Sequence, residues 1–413
     1  MIMREMKDSG ISWVGEIPTN WTIGRIGGLY SLRNQKVSDK DYEPLSVTMK
    51  GVLPQLETAA KTNDGDNRKL VRKGDFAINS RSDRRGSCGI ADRDGSVSLI
   101  NTILKPRNQM NARYYNWLFH TPMFADEFYK WGHGIVDDLW STNWEEMKKI
   151  QIPFPPLAEQ QRIAEFLDRE CGKIDGLKAD IQAQIDTLEQ YKRSVITEAV
   201  THGLNPSAPM KECSVSWARQ IPQHWKVMPN KHLMTKIKNI CPIYKGEDIL
   251  SLTMYGVIVR DLDAGGKMPS SFDGYQYIKK GNLLMCLFDI DVTPRCIGII
   301  KQNGITSPAY SQFKMKKITN ARFYYYYYLM LDYTKELLHL AKNLRHSLTE
   351  DQLGAIKQLV PPLEEQQEIA DYLDNKCAEI EQIIADKKSQ IETLDGYKKS
   401  LIYEYVTGKK EVV

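Results

Sequence analysis

The sequence lacks the features of membrane and secreted proteins. No run of apolar residues is long enough to cross a bilayer, and the first ten residues, MIMREMKDSG, hold no apolar signal-peptide core. Cysteine is scarce: seven residues, an odd number, lie scattered along 413 positions without a Cys-x-x-Cys pair. This usage argues against a disulfide framework and is typical of a reducing compartment, so we expect a cytoplasmic protein.

Recognisable catalytic motifs are also missing. The chain has no Gly-x-Gly-x-x-Gly, no P-loop, no His-Glu-x-x-His and no Gly-x-Ser-x-Gly. It lacks the Asn- or Asp-Pro-Pro-aromatic run that amino-methyltransferases use at the target amine, and its histidines show no metal-ligand spacing. A globular composition without these motifs favours a binding protein or a scaffold over an enzyme.

What the sequence does contain is a long internal repeat. PPLAEQQRIAEFLD begins at Pro155, and PPLEEQQEIADYLD begins at Pro361. The same offset of 206 residues relates YKRS, which begins at Tyr191, to YKKS, which begins at Tyr397. Tryptophans next to an Ile-Pro pair also occur near the start of each half, at an offset of 204. The two halves of the chain therefore share one plan.

Each repeated segment predicts one long helix. The double proline stops the preceding element and suits a helix start. About 45 residues at 1.5 Å each would span roughly 65 Å. Apolar residues alternate at spacings of three and four, as in a coiled coil. The predicted stripes are Ile174, Leu177, Ile181, Leu188, Tyr191 and Val195 in the first helix, and Ile380, Ile383, Leu394, Tyr397 and Leu401 in the second, with Gln184, Gln390 and Lys387 as polar members. Such helices either join an ordinary bundle or, as their similarity favours, pack on each other.

The segments outside the helices predict mixed α/β structure. Residues 45–52 and 250–257 each have the pattern of a strand followed by a turn. Two aromatic-rich stretches, 113–130 and 324–328, predict helices packed in a core rather than platforms for stacked bases. The tryptophans beside Ile-Pro predict packing anchors. Residues 203–212 contain glycine, asparagine and two prolines, which indicates the linker between the halves.

Positive charge is concentrated outside the long helices. Segments 157–202 and 363–407 carry net charges of −3 and −6, so a total of +4 leaves +13 on the rest of the chain. Such a surplus suits a polyanion partner, and the alternative is an ordinary solvated surface.

Two loops after predicted strands hold the candidate contacts to nucleic acid. The loop at 79–89 contains three arginines, whose guanidinium groups suit phosphate and guanine, although a plain exposed loop is the alternative. The equivalent loop at 288–295 carries two carboxylates, which accept from the cytosine amino group or orient an arginine. The candidate residues are Lys50, Asn79, Arg81, Arg84 and Arg85 in the first half, and Tyr255, Asp289, Asp291 and Arg295 in the second.

The repeated PPLxEQQ-x-IA-x-[FY]LD element, alternating with two variable basic segments, resembles the specificity subunit of Type I restriction–modification systems. The resemblance covers nearly the whole chain. It implies two α/β target-recognition domains related by a pseudo-twofold and joined by two long helices that form an antiparallel coiled coil. The implied segments are a first recognition domain at 1–154, a central helical spacer at 155–206, a second recognition domain at 207–360 and a C-terminal helical spacer at 361–413.

The resemblance also implies the partners. The chain would bind double-stranded DNA at a bipartite, asymmetric site and would join two modification subunits, which carry S-adenosylmethionine and methylate adenine. Restriction subunits would add ATP- and Mg-dependent translocation and cleavage, while this chain would hold no catalytic residue, metal or cofactor. The expected docking residues for the modification subunits are Glu159, Gln160, Gln161, Glu365, Gln366 and Gln367. Two other classes stay open at this point: a catalytic DNA enzyme, such as a fused methyltransferase, and a coiled-coil scaffold without a DNA role.

Overall fold

The structure is a computed structural model that describes residues 4–55, 64–107, 110–134, 140–263, 269–293, 295–341 and 346–412. The chain divides into two compact units. Unit 1 comprises residues 1–181 and 388–413, and unit 2 comprises residues 182–387. Each unit combines one α/β segment with about half of each long helix. The four segments predicted from the sequence are defined by the internal repeat, whereas the two units are defined by compactness. The four-segment division therefore stays a prediction.

The α/β segment of unit 1 is built from short antiparallel strands and four short α-helices. Its strands are β1 (Met6–Asp8), β2 (Glu16–Pro18), β3 (Thr22–Arg25), β4 (Tyr30–Arg33), β5 (Lys36–Val37), β6 (Leu45–Thr48), β7 (Gly51–Pro54), β8 (Arg68–Val71), β9 (Phe76–Asn79), β10 (Cys88–Ile90), β11 (Gly95–Val97), β12 (Asn101–Pro106) and β13 (Gln151–Phe154). Its helices are α1 (Ile26–Leu29), α2 (Ala112–Phe119), α3 (Pro122–Lys130) and α4 (Trp144–Met147). The main sheet has the order β10-β9-β12-β4, a second sheet has the order β11-β8-β5, and β6-β7 is a hairpin.

Unit 2 repeats this plan. Its strands are β14 (Met210–Val215), β15 (Ala218–Pro222), β16 (Lys226–Pro229), β17 (Met234–Ile237), β18 (Leu250–Thr253), β19 (Gly256–Val259), β20 (Gln276–Ile278), β21 (Leu283–Met285), β22 (Ile297–Ile299), β23 (Gly304–Thr306), β24 (Ser311–Met315) and β25 (Lys357–Val360). The sheet order β17-β24-β21-β22 matches β4-β12-β9-β10 of unit 1, and β18-β19 corresponds to the hairpin β6-β7. The predicted linker at 203–212 is shorter than expected, because β14 already begins at Met210 and pairs with β15.

Four helices complete the fold. Unit 2 contains α6 (Ala321–Tyr333) and α7 (Glu350–Ala355), while the long helices are α5 (Leu157–His202) and α8 (Leu363–Val406). Their lengths of 46 and 44 residues agree with the predicted helices. No helix in the described part of the chain is long and apolar enough to cross a membrane.

Aromatic side chains fill the cores, as the sequence predicted. Helices α2 and α3 bury their aromatic faces in unit 1, and α6 is buried on several sides in unit 2. Asparagine side chains at 111 and 320 cap α2 and α6 by accepting backbone N–H groups of the first turn. Trp21 and Trp225 are fully buried, which confirms them as packing anchors. The buried aromatics of these helices are Tyr114, Tyr115, Phe119, Phe124, Phe128, Phe323, Tyr324, Tyr326, Tyr327 and Tyr328.

Only about half of the residues predicted for the apolar stripe of each long helix are shielded from solvent. Leu177, Tyr191, Ile383 and Tyr397 are exposed, as are Gln184 and Gln390. The less exposed positions lie one residue later: Lys178, Ile185, Lys192, Ile384, Ile391 and Lys398. A stripe with spacings of three and then four residues shares every second position with a stripe spaced four and then three. The apolar residues of the sequence therefore did not distinguish the two stripes, and the prediction selected the wrong one. Lysines occupy part of the true stripe because their aliphatic stems pack while the ammonium groups reach solvent or a carboxylate.

Contacts join the two long helices within each unit. In unit 1, Lys398 Nζ contacts both carboxylate oxygens of Asp175 at 2.7 Å, and Lys178 pairs with Asp395. In the same unit the rings of Phe166 and Tyr405 stack with centroids 4.3 Å apart.

In unit 2, Lys192 Nζ donates to Glu381 at 2.9 Å, and Lys387 donates to Gln184. Lys192–Glu381 and Lys398–Asp175 are equivalent pairs, because both members are related by the offset of 206.

Candidate nucleic-acid interface

The first candidate loop leaves β9 at Asn79 and enters β10 at Cys88. Asn79 is buried, its backbone N–H donates to Ser87 O at 2.8 Å, and its side-chain oxygen accepts from Arg81 N at 3.0 Å. Asn79 therefore closes the base of the loop rather than facing outward. Backbone bonds from Ser80 to Ile100 and from Thr142 to Ser80 tie the same base to its neighbours.

The three arginines of this loop differ in what holds them. Arg85 Nη1 contacts Asp126 at 3.0 Å, and its guanidinium carbon lies 3.8 Å from the centroid of the Tyr129 ring. Arg84 pairs with the adjacent Asp83 at 3.5 Å, and 68% of its side chain is exposed. Arg81 is also exposed. Arg84 is thus an accessible cation, whereas Arg85 is oriented by α3.

Asn79, Arg81 and Arg85 line a common small cleft. Half of its other lining residues are aromatic, among them Phe124, Tyr129 and Trp140. Asn79 and Phe124 are buried, so the exposed arginines at the rim are the groups of this cleft that suit contacts to nucleic acid.

A hairpin brings Lys50 next to this loop. Strands β6 and β7 are joined by the two residues Met49 and Lys50, and β7 lies against β10 through two glycines. A Cβ on Gly89 would lie only 2.7 Å from the Cα of Gly51, so glycine is required for this approach. The hairpin and the arginine loop, which are distant in sequence, therefore share one end of the sheet.

The second candidate loop joins β21 to β22 and carries Asp289, Asp291 and Arg295; its Pro294 lies outside the described residues. Asp289 has a φ of 47°, a left-handed conformation that aspartate tolerates better than most residues. Its backbone carbonyl accepts from Thr293 N at 2.9 Å, which folds the loop into a tight turn. Asp291 Oδ2 lies 4.0 Å from His346 Nε2.

A lysine at the end of α6 fastens the second loop. Lys335 Nζ donates to the carbonyls of Ile290 at 3.4 Å and Thr293 at 3.2 Å, and to Asp332 Oδ1 at 3.1 Å. Asp332 is buried and accepts from Cys296 N at 2.8 Å on its other oxygen. These two residues hold both ends of the loop against α6.

The hairpin β18-β19 places Tyr255 beside the second loop, as β6-β7 places Lys50 beside the first. A Cβ on Gly298 of β22 would lie 2.6 Å from Val257, and Arg295 Nη1 lies 3.7 Å from the Cβ position of Gly256. Tyr255 is highly exposed. Both units therefore use a strand glycine to bring a hairpin tip beside the loop.

Charge distinguishes the two sites. The first loop carries three arginines and one aspartate, whereas the second carries two aspartates and one arginine. Burial raises the pKa of the Tyr333 phenol despite the opposing charges of Lys192 and Arg295. The loops thus offer different hydrogen-bonding partners to a nucleic acid.

The Glu-Gln-Gln triplets have roles inside their own units. Glu159 Oε2 accepts from Trp21 Nε1 at 2.9 Å in unit 1, and Glu365 Oε2 accepts from Trp225 Nε1 at 2.9 Å in unit 2. His224 also contacts Glu365, at 2.7 Å. The tryptophan anchors are therefore bound to the first turns of α5 and α8.

The glutamines continue this role. Gln160 accepts from Asn111 N at 2.9 Å and donates to Pro155 O at 2.8 Å, and Gln366 makes the equivalent bonds to Asn320 at 2.7 Å and Pro361 at 2.8 Å. Both glutamines and Glu159 are buried, which leaves them little surface for a partner. Gln161 bonds Glu165 and Gln367 bonds Asp371 on exposed helix surface. Contact of the six residues with a modification subunit stays a prediction.

Sequence reasoning missed the residues that position the loops, among them Asp126, Tyr129, Asp332 and Lys335. One signal was available: Asp332 is a carboxylate within the apolar run of α6, and a buried carboxylate requires partners. Among the described residues, no group of three or more His, Cys, Asp or Glu side chains could hold a metal ion.

Comparison with known proteins identifies the family. The family model of the Type I restriction modification DNA specificity domain matches residues 18–187 and 297–393. The Type I restriction enzyme MjaVIII specificity subunit of Methanocaldococcus jannaschii is 24% identical, covering 96% of this chain and 94% of its own. The putative type I restriction enzyme MjaX specificity subunit of the same organism is 26% identical, covering 66% and 62%.

A solved structure concerned with complex assembly and conformational transition of the type I R-M system shows the same fold. It has a TM-score of 0.71 at 13% identity and covers 95% of this chain and 99% of that chain. The family match spans well over half of the sequence and includes most of both long helices. The chain belongs to the Type I restriction–modification specificity family and is a DNA sequence-specificity subunit.

Proposed function

We propose that each unit reads one half of a bipartite, asymmetric site in double-stranded DNA. The observation that carries this proposal is the repeated pairing of a hairpin tip with a loop at one sheet end, in units whose loops differ in charge. A shared scaffold would present both loops to DNA in the same way, while their different side chains would select different bases.

In the first half-site, Arg84 and Arg81 are the direct cationic contacts, with Arg85 oriented by Asp126 and Tyr129 and Lys50 supplied by the hairpin. Bidentate arginine contacts to guanine are the commonest specific contacts in the major groove. Asn79 would act by shaping the loop, because it is buried and bonded to Arg81 N.

In the second half-site, Tyr255 and Arg295 are the proposed contacts, and the aspartates accept hydrogen bonds. Tyr255 is exposed at the hairpin tip, and Arg295 lies near its base. Asp289 and Asp291 lie on a loop fastened by Lys335, so their carboxylates would meet DNA in a fixed arrangement.

We further propose that α5 and α8 form an antiparallel coiled coil that spaces two pseudo-twofold-related recognition domains. Support comes from unit 1 by itself. Asp175 of α5 contacts Lys398 of α8, and Lys178, three residues later in α5, contacts Asp395, three residues earlier in α8. The two helices therefore run in opposite directions along this contact. The proposed segments remain 1–154, 155–206, 207–360 and 361–413.

Two modification subunits are the proposed partners of the helices. Four apolar residues that were predicted to lie between the helices are exposed instead. They are equivalent in the repeat: Leu177 corresponds to Ile383, and Tyr191 corresponds to Tyr397. They offer two similar surfaces, one per unit, and are better docking candidates than the buried parts of the Glu-Gln-Gln triplets. We propose that this chain is non-catalytic, that S-adenosylmethionine is bound by the modification subunits, and that ATP and Mg are bound by restriction subunits.

Single-molecule methylome sequencing of a host that expresses this chain with its modification subunit tests the proposal. We expect a bipartite, asymmetric methyl-adenine motif that disappears when the gene for this chain is deleted. A symmetric or undivided motif would contradict two different half-sites. Binding of S-adenosylmethionine by the isolated chain would instead favour a fused methyltransferase, and salt-independent DNA binding would argue against phosphate contacts.

A further inference from the structure

Both hairpin tips present a methionine to solvent. The tips have the sequences Thr-Met-Lys-Gly at 48–51 and Thr-Met-Tyr-Gly at 253–256. Met49 is 71% exposed and Met254 is 58% exposed, although the strands on either side pack against their sheets. A long apolar side chain at the outermost point of each hairpin therefore buries little of its surface.

The turns are held together without these methionines. Thr48 Oγ1 accepts from Lys50 N and donates to Gly51 O, both at 3.0 Å, and Thr253 Oγ1 makes the same two bonds at 3.2 and 3.0 Å. Gly51 and Gly256 have φ values of 109° and 99°, a conformation that favours glycine. Threonine and glycine thus set the shape of each tip, and these hydrogen bonds do not involve the methionine side chain.

Single exposed apolar residues are common and need no explanation. Here, however, methionine occupies the same position of the same turn in both units, while the next residue changes from Lys50 to Tyr255. Each tip also lies beside a candidate DNA-contacting loop, through the close approach of Gly89 to Gly51 and of Arg295 to Gly256. The repetition and the location together point to a contact with the ligand.

We propose that Met49 and Met254 are apolar base contacts, one in each half-site. This inference rests on the proposed function and adds a specificity-determining residue to each unit. The flexible thioether can pack on the C5 methyl of thymine or on an exposed base face, surfaces that the charged groups of the loops do not complement. The neighbouring Lys50 and Tyr255 would then supply polar contacts from the same tips.

The test uses the complex of this chain with its modification subunits and a DNA duplex that contains the motif found by methylome sequencing. Met49→Gln and Met254→Gln keep the side-chain length but add an amide, whereas Met49→Leu and Met254→Leu keep an apolar side chain. We expect each glutamine variant to bind the duplex roughly tenfold more weakly, as loss of one good base contact does. The leucine variants should bind within a few-fold of the parent protein.

The half-sites give the inference its internal control. Met49→Gln should become insensitive to base changes at a position in one half-site, and Met254→Gln at a position in the other. If the parent complex shows no preference for its motif, the proposed function fails. If the parent prefers its motif and both glutamine variants share that preference and affinity, the inference alone is overturned. Equal losses for leucine and glutamine would also contradict an apolar contact, and unchanged melting temperatures would confirm intact folds.

Discussion

Arg84 is more accessible than its neighbour Arg85, with 68% of its side chain exposed against 49%. Its neighbour Arg85 is oriented by Asp126 and Tyr129, whereas Arg84 pairs with the adjacent Asp83 only at 3.5 Å in a largely solvent-exposed position. Such an exposed ion pair contributes little to stability, so removal of Arg84 should affect recognition more than folding.

We therefore expect Arg84→Ala to relax or abolish recognition at one half-site and to leave the bases of the other half-site unchanged. Loss of one bidentate base contact typically lowers discrimination by about 1–3 kcal/mol. Methylome sequencing of the variant measures the change directly. Equal loss at both halves would indicate misfolding or a phosphate contact instead of base recognition.

Lys335 acts on the second loop through the backbone. Its ammonium binds two loop carbonyls and the buried carboxylate of Asp332, so Lys335→Ala would remove the fastening and leave that carboxylate with one partner fewer. We expect a stability loss of about 1–2 kcal/mol and weaker recognition confined to the second half-site.

Urea unfolding and methylome sequencing together check this expectation for Lys335→Ala. Lys301→Ala is the matched control, because Lys301 is an exposed lysine just beyond the other end of β22. A Lys335 variant with reduced stability but unchanged specificity at both halves would show that the lysine supports the fold without ordering the loop.

At the scale of elements, the two long helices meet partly through charged residues that lie one position after the predicted apolar ones. Burial disfavours the charge of Lys192, but the hydrogen bond and the charge of Glu381 outweigh it and raise the lysine pKa. A raised lysine pKa stabilises the fold at neutral pH. That contribution is lost only as pH rises above the ordinary lysine value of 10.5.

Unequal stability effects should follow from changing the two partners of this pair. Glu381→Gln leaves a largely buried ammonium without its counter-charge and should lower the free energy of unfolding by about 1–3 kcal/mol. Lys192→Met loses the favourable charge but keeps the packed stem and leaves behind only the exposed carboxylate of Glu381, so it should lower the free energy of unfolding by less. Urea unfolding of both variants measures the difference, and an equal or larger loss for Lys192→Met would contradict it.

At the scale of the whole molecule, the proposed spacer makes helix length a determinant of the DNA site. Seven residues added to α5 after Ile181 and seven added to α8 after Lys387 preserve the heptad pattern in both helices. They lengthen each helix by about 10.5 Å, the rise of about three base pairs.

We expect the methylated motif of this double insertion to keep both half-sites and to gain a spacer longer by up to about three base pairs. Insertion into α5 alone is the control and should impair methylation, because α8 would no longer match it. A functional double insertion with an unchanged spacer length would contradict the spacer role of the helices.

The sequence by itself determined the repeat, the two long helices, a strand and turn at 45–52 and 250–257, the aromatic cores and the family resemblance. These features depend on local pattern: double prolines, helix-forming composition, and Gly-containing turns between strand-like runs. The aromatic stretches at 113–130 and 324–328 were assigned to the core correctly because their apolar surface is too large to stay in solvent.

Only the tertiary structure decided which side chains face which neighbours. Two stripes shared Ile174 and Ile181, and packing selected the one that contains Lys178, because a lysine stem can be buried while its charge finds Asp395. Likewise, burial of Glu159 beneath Trp21 depends on residues 138 positions apart. Pairings at such distances leave no periodic trace in one sequence, so the inward-facing residues and the fastening of the two candidate loops became visible only in the folded chain.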